Sequence, residues 1–366
     1  MTGASAKVQH ELIAAGLENL DRQAWDYLVG GSESETTVLR NRHAIDRLAL
    51  QPSVLRDVSR IDVSCTSLGR AHALPLFCAP VGALDRFWQK GEDAAARAAS
   101  AARVPFWFSS LSSSPLPRMV QAAAHGAVYQ LYVRGDAAWV DGQLRAAEDA
   151  GFSALCLTVD SAAYGRRERD LAAGHVKPYR AEFTAQAMAY QAALTWADIA
   201  RIKRVTGLPL ILKGIATAAD AAAAVDMGVE GVYISNHGGR QLDHAMAGFD
   251  LLSEIVDAVD GRAEVYVDGG VMRGTDIVKA LAIGADMVGI GRLYCLALAA
   301  GGHEGVARMF QILQDELSVG LALVGAASAA QLHPGMVRDL GVAVRQDGLF
   351  PAFPHLDHQK TRKLTS

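Results

Sequence analysis

Residues 234–241 read Ile-Ser-Asn-His-Gly-Gly-Arg-Gln and follow directly on the apolar residues Val232 and Tyr233. The imidazole of His237 can take a proton near neutral pH, and it stands between an asparagine and two glycines, where a chain can turn. A carboxylate, Asp160, ends another apolar run at 153–160 and can hold the imidazole in one tautomer and stabilise its charged form. Arg240 can clamp a carboxylate through two parallel hydrogen bonds. Lys213 ends the run Leu-Pro-Leu-Ile-Leu, and a buried ammonium there requires an anionic partner or an electron-rich cofactor. The stretches 268–274 (DGGVMRG) and 289–292 (GIGR) each join glycines, whose amides can approach an anion, to an arginine, which is the chemistry of phosphate binding.

These residues need a scaffold that brings distant positions together. Eight short apolar runs recur, at 74–80, 104–110, 127–133, 153–160, 208–214, 231–236, 263–270 and 286–292. They are apolar on both faces, as strands of a covered parallel sheet must be, and helical patterns lie between them. A weak repeat supports the count: AAEDAGFSALCLTV, AAVDMGVEGVYIS and ALAIGADMVGIG each run from a helix through a glycine stop to a strand. The expectation is an α/β chain folded as a (β/α)8 TIM barrel with an N-terminal helical extension. A doubly wound sheet is the alternative, but no GxGxxG follows the first run. One domain is expected over 1–366, with helices over 1–73, the barrel over 74–325 and a poorly packed tail over 345–366. The longest connection, 161–195, falls between the fourth and fifth strands and reads as functional or mobile.

In such a barrel the site lies at the C-terminal ends of the strands. In order, those ends offer Pro80, Val81 and Gly82; Ser109 and Ser110; Gln130 and Tyr132; Thr158 and Asp160; Lys213; Ser235 and His237; Asp268, Gly269 and Gly270; Gly291 and Arg292.

Composition narrows the class. The 366 residues are 51% hydrophobic and 20% charged, with a formal charge of −4, and no basic block stands out, so nucleic acid is not an expected partner. Four cysteines without metal-type spacing read as reduced thiols of a cytoplasmic protein, and no metal is expected. No secretory signal and no membrane span are expected.

The stretch SNHGGRQLD, together with ILKG, DGGVMRGTDIVKALAIGA, GIGR and the N-terminal YLVGGSES…NRHAIDRL, resembles the FMN-dependent 2-hydroxy acid oxidase and dehydrogenase family, which includes glycolate oxidase, lactate oxidase and mandelate dehydrogenase. The resemblance implies FMN as cofactor. It implies that Pro80, Val81, Gly82, Ser109, Gln130, Thr158 and Ser235 contact the flavin, and that Lys213 stabilises charge on its reduced form. It places the FMN phosphate at Asp268, Gly269, Gly270, Arg273, Gly291 and Arg292. It makes His237 the base with Asp160 behind it. It assigns the substrate to Arg167, Arg240, Tyr27 and Tyr132, with Leu111 on the pocket wall. The family's tetrameric habit implies a homotetramer.

This chain departs from the family pattern at three places. Met272 replaces the first of two arginines in D-G-G-x-R-R-G, with Arg273 a possible substitute contact. Leu111 stands where many oxidases carry an aromatic residue. Gly82 makes P-T-A into P-V-G, as in mandelate dehydrogenase. The last two imply a roomier, more apolar pocket, hence oxidation of a bulky (S)-2-hydroxy acid such as mandelate to its 2-keto acid. Gly82 further implies an electron acceptor such as a quinone or other carrier, oxygen being the alternative. The short connection at 161–195 implies a relative without the membrane-binding insertion. A flavin barrel doing isomerase or synthase chemistry would lack the His–Arg pair; a non-catalytic relative would be colourless.

Overall fold

The computed structural model describes residues 3–174, 185–343, 352, 353 and 356. The strands β1 (Leu76–Cys78), β2 (Phe106–Ser109), β3 (Ala127–Leu131), β4 (Ala154–Thr158), β5 (Leu210–Ile215), β6 (Gly231–Ile234), β7 (Glu264–Val267) and β8 (Met287–Ile290) close into one barrel. Each is parallel to the next, and β8 pairs back to β1 through Val288–Leu76, Gly289–Phe77 and Ile290–Cys78. All eight expected runs hold one strand each. Every residue of β1, β2, β3, β4, β6 and β8 is buried, which is why the runs are apolar on both faces.

Two cores result. One lies between the strands and the outer helices. The other fills the barrel itself with Phe77, Trp107, Val128, Cys156, Ile211, Tyr233, Tyr266 and their neighbours. Phe77 stacks on Trp107 with ring centroids 4.0 Å apart, and Tyr233 meets Phe77 edge-on at 5.3 Å. Large aromatic rings fill the interior with few side chains, so the barrel is a solid support and not a channel. A hairpin of Cys65–Ser67 and Arg70–His72 closes its N-terminal end, where the Leu68 amide donates to Glu264 Oε1 at 2.6 Å. The functional end is therefore the opposite one.

The N-terminal extension holds α1 (Gln9–Asn19), α2 (Arg22–Val29) and α3 (Thr36–Asp46). Beyond Asp46 the expectation of helix fails. Leu48–Leu50 pairs antiparallel with Val337–Asp339, and the bottom hairpin follows. These three-residue strands owe their existence to remote partners, which local periodicity does not encode. The 161–195 connection contains a short helix at Glu168–Ala172 and the mouth helix α4 (Ala185–Ala192). Most of 345–366 lies outside the described residues. Phe353 and Leu356 are nevertheless buried, Phe353 edge-on to His10 at 5.3 Å, which corrects the reading of a poorly packed tail at those positions. All four cysteines are free thiols. No described helix is long and apolar enough to cross a membrane.

Candidate active site

Strand geometry explains why the polar residues gather. Side chains two apart on a strand share a face. Six of the expected site residues stand two positions beyond a member of the interior core: Trp107 then Ser109, Val128 then Gln130, Cys156 then Thr158, Ile211 then Lys213, Tyr233 then Ser235, Tyr266 then Asp268. The polar ring is the next inward layer above the aromatic support. Pro80, Val81, Gly82, Ser109, Lys213 and Asp268 line the cavity at the mouth. Gln130, Thr158 and Ser235 sit beneath its wall, fully or nearly fully buried; Gln130 Nε2 donates to Thr158 Oγ1 at 2.8 Å, and Ser235 Oγ accepts from the His237 amide at 3.1 Å.

After β6 the chain makes an unusual turn. His237, Gly238 and Gly239 all have positive φ, at 60°, 64° and 77°. A Cβ on Gly239 would stand 2.7 Å from the Val38 nitrogen, so no other residue fits there. The strain of a left-handed histidine is held by a brace from the extension. Asn41 and Asn236 exchange reciprocal amide hydrogen bonds at 3.0 and 2.7 Å, and Ser32 N donates to Gly239 O at 2.9 Å.

His237 Nδ1 lies 3.1 Å from both oxygens of Asp160, and Nε2 lies 2.9 Å from the Tyr132 hydroxyl. Because Asp160 can only accept, Nδ1 carries the hydrogen. Nε2 is then the lone pair, with Tyr132 donating to it. Burial alone would raise the Asp160 carboxyl, but the charges of His237 and Lys213 outweigh it and hold it at about 2. Burial, and then the Lys213 charge, depress His237 below its ordinary 6.5 against the opposing pull of Asp160. The imidazole is thus neutral at pH 7 and able to accept a proton. Burial, with Asp160 adding to it, pushes the Tyr132 phenol well up and keeps it a donor.

Lys213 Nζ is 3.3 Å from His237 Nδ1 and lies over the Tyr233 ring at 5.5 Å. It pairs in register with Thr158 on β4 and Tyr233 on β6. Immediately after it the register shifts at Gly214, where φ is 107° and a Cβ would stand 2.5 Å from the Asp160 Cβ. The bulge makes the space in which Asp160 reaches the imidazole.

Arg240 Nη1 donates to the carbonyls of Tyr27 and Gly30, both at 2.7 Å, and its guanidinium lies over the Tyr27 ring. Tyr27 donates to Gly82 O at 3.0 Å. Arg167 is buried, donates to the Tyr164 hydroxyl at 2.6 Å and stacks on that ring. Tyr27, Leu111, Tyr132, Arg167, Arg240 and His237 all face the same cavity.

On the other side, Gly269 and Gly270 take φ of 99° and 87°, and Arg292 is half-buried beside them at the mouth. Arg292 donates to Leu28 O and Gly30 O, with no carboxylate in ion-pair contact among the described residues. Burial, and then the Arg240 charge, pull it down to about 10. Arg273 does not join it. Its guanidinium pairs with Glu316 at 3.0 Å and lies over Phe353, so the expected substitution for the missing arginine at Met272 does not occur. The cause is local: the Met272 and Arg273 amides both bond Asp276 Oδ2, which opens the next helix and turns residue 273 outward while Met272 faces the cavity. Asp268 turns its carboxylate inward to Tyr233 at 2.6 Å.

Among the cavity residues that escaped the sequence reading are Tyr164, Met188, Gln191 and Gln241. Met188 and Gln191 lie on α4. The Gln191 amide accepts from Val133 N at 2.7 Å and donates to Thr158 O at 2.9 Å, and so fastens α4 over the ends of β3 and β4. Tyr164 and Gln241 are near neighbours of Arg167 and Arg240, and that adjacency is the one signal the sequence offered.

The chain matches the FMN-dependent dehydrogenase family over residues 17–339. The chain belongs to this family. It is 40% identical to an L-lactate oxidase of Nostoc sp. over 84% of this chain and 91% of that protein, and 38% identical to glycolate oxidase 3 of Arabidopsis thaliana over 89% and 93%. The crystal structure of a mandelate oxidase superposes with a TM-score of 0.86 at 36% identity, covering 91% of this chain and 98% of that one. A mandelate oxidase with benzoyl-formic acid gives a TM-score of 0.84 at 37% identity over the same shares. The chain is an FMN-dependent oxidoreductase with a (β/α)8 barrel.

The residues present fit FMN. Gln130 Oε1 and Asp268 Oδ1 are buried acceptors with no partner among the described residues, suited to a ring N–H and a ribityl hydroxyl. A Cβ on Gly291 would meet nothing nearer than 4.0 Å, so the loop after β8 leaves room beside Arg292.

Proposed function

We propose that the chain oxidises an (S)-2-hydroxy acid with an aryl or other bulky side chain, mandelate being the type, to the 2-keto acid. The observation that carries this reading is the polarised imidazole: Asp160 holds Nδ1 while Nε2 meets the Tyr132 hydroxyl on the cavity wall. His237 Nε2 takes the substrate proton, and Asp160 stabilises the imidazolium that forms. Arg240 and Arg167 bind the substrate carboxylate, and Tyr132 and Tyr27 donate to it or to the hydroxyl. FMN, when bound, supplies the two-electron sink. Lys213 sets a buried positive charge where negative charge accumulates on reduction. Gly269, Gly270, Gly291 and Arg292 hold the phosphate, with Pro80, Val81, Gly82 and Ser109 along the ring.

The apolar part of the cavity supports a bulky side chain. Leu111, Met188 and Phe87 line it, and at Gly82 a Cβ would already stand 3.5 Å from the Leu111 Cβ. A steady-state substrate panel tests this: kcat/KM for (S)-mandelate exceeds that for glycolate, and the reverse order rejects it. Gly82 favours an electron acceptor other than oxygen. The names of the related oxidases favour oxygen as the second reading. Stopped-flow mixing of reduced enzyme with dissolved oxygen separates the two, fast reoxidation supporting the oxidase. A cytoplasmic homotetramer completes the proposal, and light scattering measures the assembly.

A further inference from the structure

The Asp160–His237 pair is not the end of its hydrogen-bond chain. Ser161 Oγ donates to Asp160 Oδ1 at 3.1 Å, and Gln241 Nε2 donates to the same Ser161 Oγ at 3.1 Å. The Gln241 amide does more. The two Nε2 hydrogens are shared among Ser161 Oγ and the carbonyls of Asp160 and Ala163, at 3.1, 3.0 and 2.9 Å, and Oε1 accepts from the Gly165 amide at 3.2 Å. One side chain from the loop after β6 thus holds the whole 160–165 turn after β4, and Ser161 is buried within it.

We infer that Ser161 and Gln241 are positioning residues that set the proton affinity of His237 through Asp160. The reasoning is one of direction. A hydroxyl that accepts from an amide N–H has its own hydrogen left to give, and the carboxylate of Asp160 is the acceptor at hand. Gln241 therefore fixes the sense of the Ser161 hydroxyl, and the positive end of that O–H dipole faces Asp160. Part of the carboxylate's charge is neutralised by Ser161, and the remainder acts on His237. The chain closes on itself, since Gln241 and His237 belong to one loop and Ser161 and Asp160 to the other. The ring of contacts fixes the two loops relative to one another as well as the charge between them.

The groups facing His237 are few: Asp160 and Arg167 after β4, Lys213 on β5, Tyr132 after β3, and Arg292, whose Nη1 is 3.0 Å from where a Cβ on Gly238 would stand. Changing Ser161 to alanine removes none of them. That change leaves Asp160 less neutralised, makes the potential at His237 more negative and favours imidazolium. The His237 titration therefore moves up. Gln241→Glu cannot donate to Ser161 and draws its hydroxyl away from Asp160, so it moves the titration in the same direction.

This inference rests on the proposed role of His237, and the test separates the two. The His237 titration is read by NMR on histidine-labelled protein, with its signal identified by its loss in His237→Gln, and in parallel as the acid limb of kcat/KM. Ser161→Ala raises the midpoint by roughly half a pH unit or more, and Ser161→Thr restores it. Ser161→Cys, nearly isosteric but a weak donor, gives the same upward shift if the alanine variant does not fold. Equal midpoints in wild type, Ser161→Ala and Ser161→Cys overturn the inference. A wild-type protein that titrates as described but oxidises no 2-hydroxy acid overturns the function and leaves the inference standing.

Discussion

On the β4–β6 side of the mouth, the positive and negative groups face each other: Asp160 stands against His237 at 3.1 Å, and Lys213 stands 3.3 Å from the same imidazole nitrogen. On the β7–β8 side, Arg292 is half-buried and donates to two backbone carbonyls, beside two glycines in left-handed conformation, and Arg273 has been drawn off by Glu316. The first side is complete in itself, so its proton affinities are set by the fold. On the second side the one carboxylate, Asp268, is turned to Tyr233, and Arg292 has no ion-pair partner among the described residues, so a ligand's anion is the partner that suits it. The difference supports the proposal that one side is acid–base machinery and the other an anion cradle.

Breaking the two sides one at a time should give opposite phenotypes. His237→Gln removes the proton acceptor and lowers the rate of flavin reduction by roughly 10²–10⁴-fold, while the purified protein keeps its yellow colour. Arg292→Met removes one charge-assisted partner of the phosphate and weakens FMN binding by on the order of 10–100-fold. Flavin release followed by fluorescence measures it. Lys213→Met tests the coupling within the complete side. Lys213 depresses His237, so its loss must raise the His237 midpoint, by roughly one pH unit; NMR titration reads this without turnover. Met272→Arg sharpens the comparison from the other direction. It places a second cation at the cavity wall and tightens FMN several-fold, read as slower flavin release.

The same contrast shows what a sequence carries. The eight strands were legible because burial on both faces demands unbroken apolar runs. The site was legible because those runs end in polar residues two positions beyond residues of the interior core, as with Ile211 and Lys213. Residues 47–73 were misread because Leu48–Leu50 finds its partner nearly three hundred positions away. Arg273 was misassigned because its direction depends on Asp276 and Glu316, and spacing says nothing of direction. Gln191 and Gln241 escaped notice for a related reason. Their importance lies in the carbonyls and amides they hold across loops, and a glutamine in a helix or after an arginine has no local signature.

The central claim is that a neutral His237, backed by Asp160, accepts the substrate proton while FMN takes the electrons. Anaerobic stopped-flow reduction of the bound flavin by (S)-mandelate across pH tests it most directly. With His237 depressed below 6.5 and Asp160 held at about 2, the rate constant at low substrate should rise with pH through a single limb below 6.5 and then level off. The limb should be missing from the residual reaction of His237→Gln. A wild-type rate that is flat through this range, or a His237→Gln variant that bleaches as fast as wild type, would contradict the account.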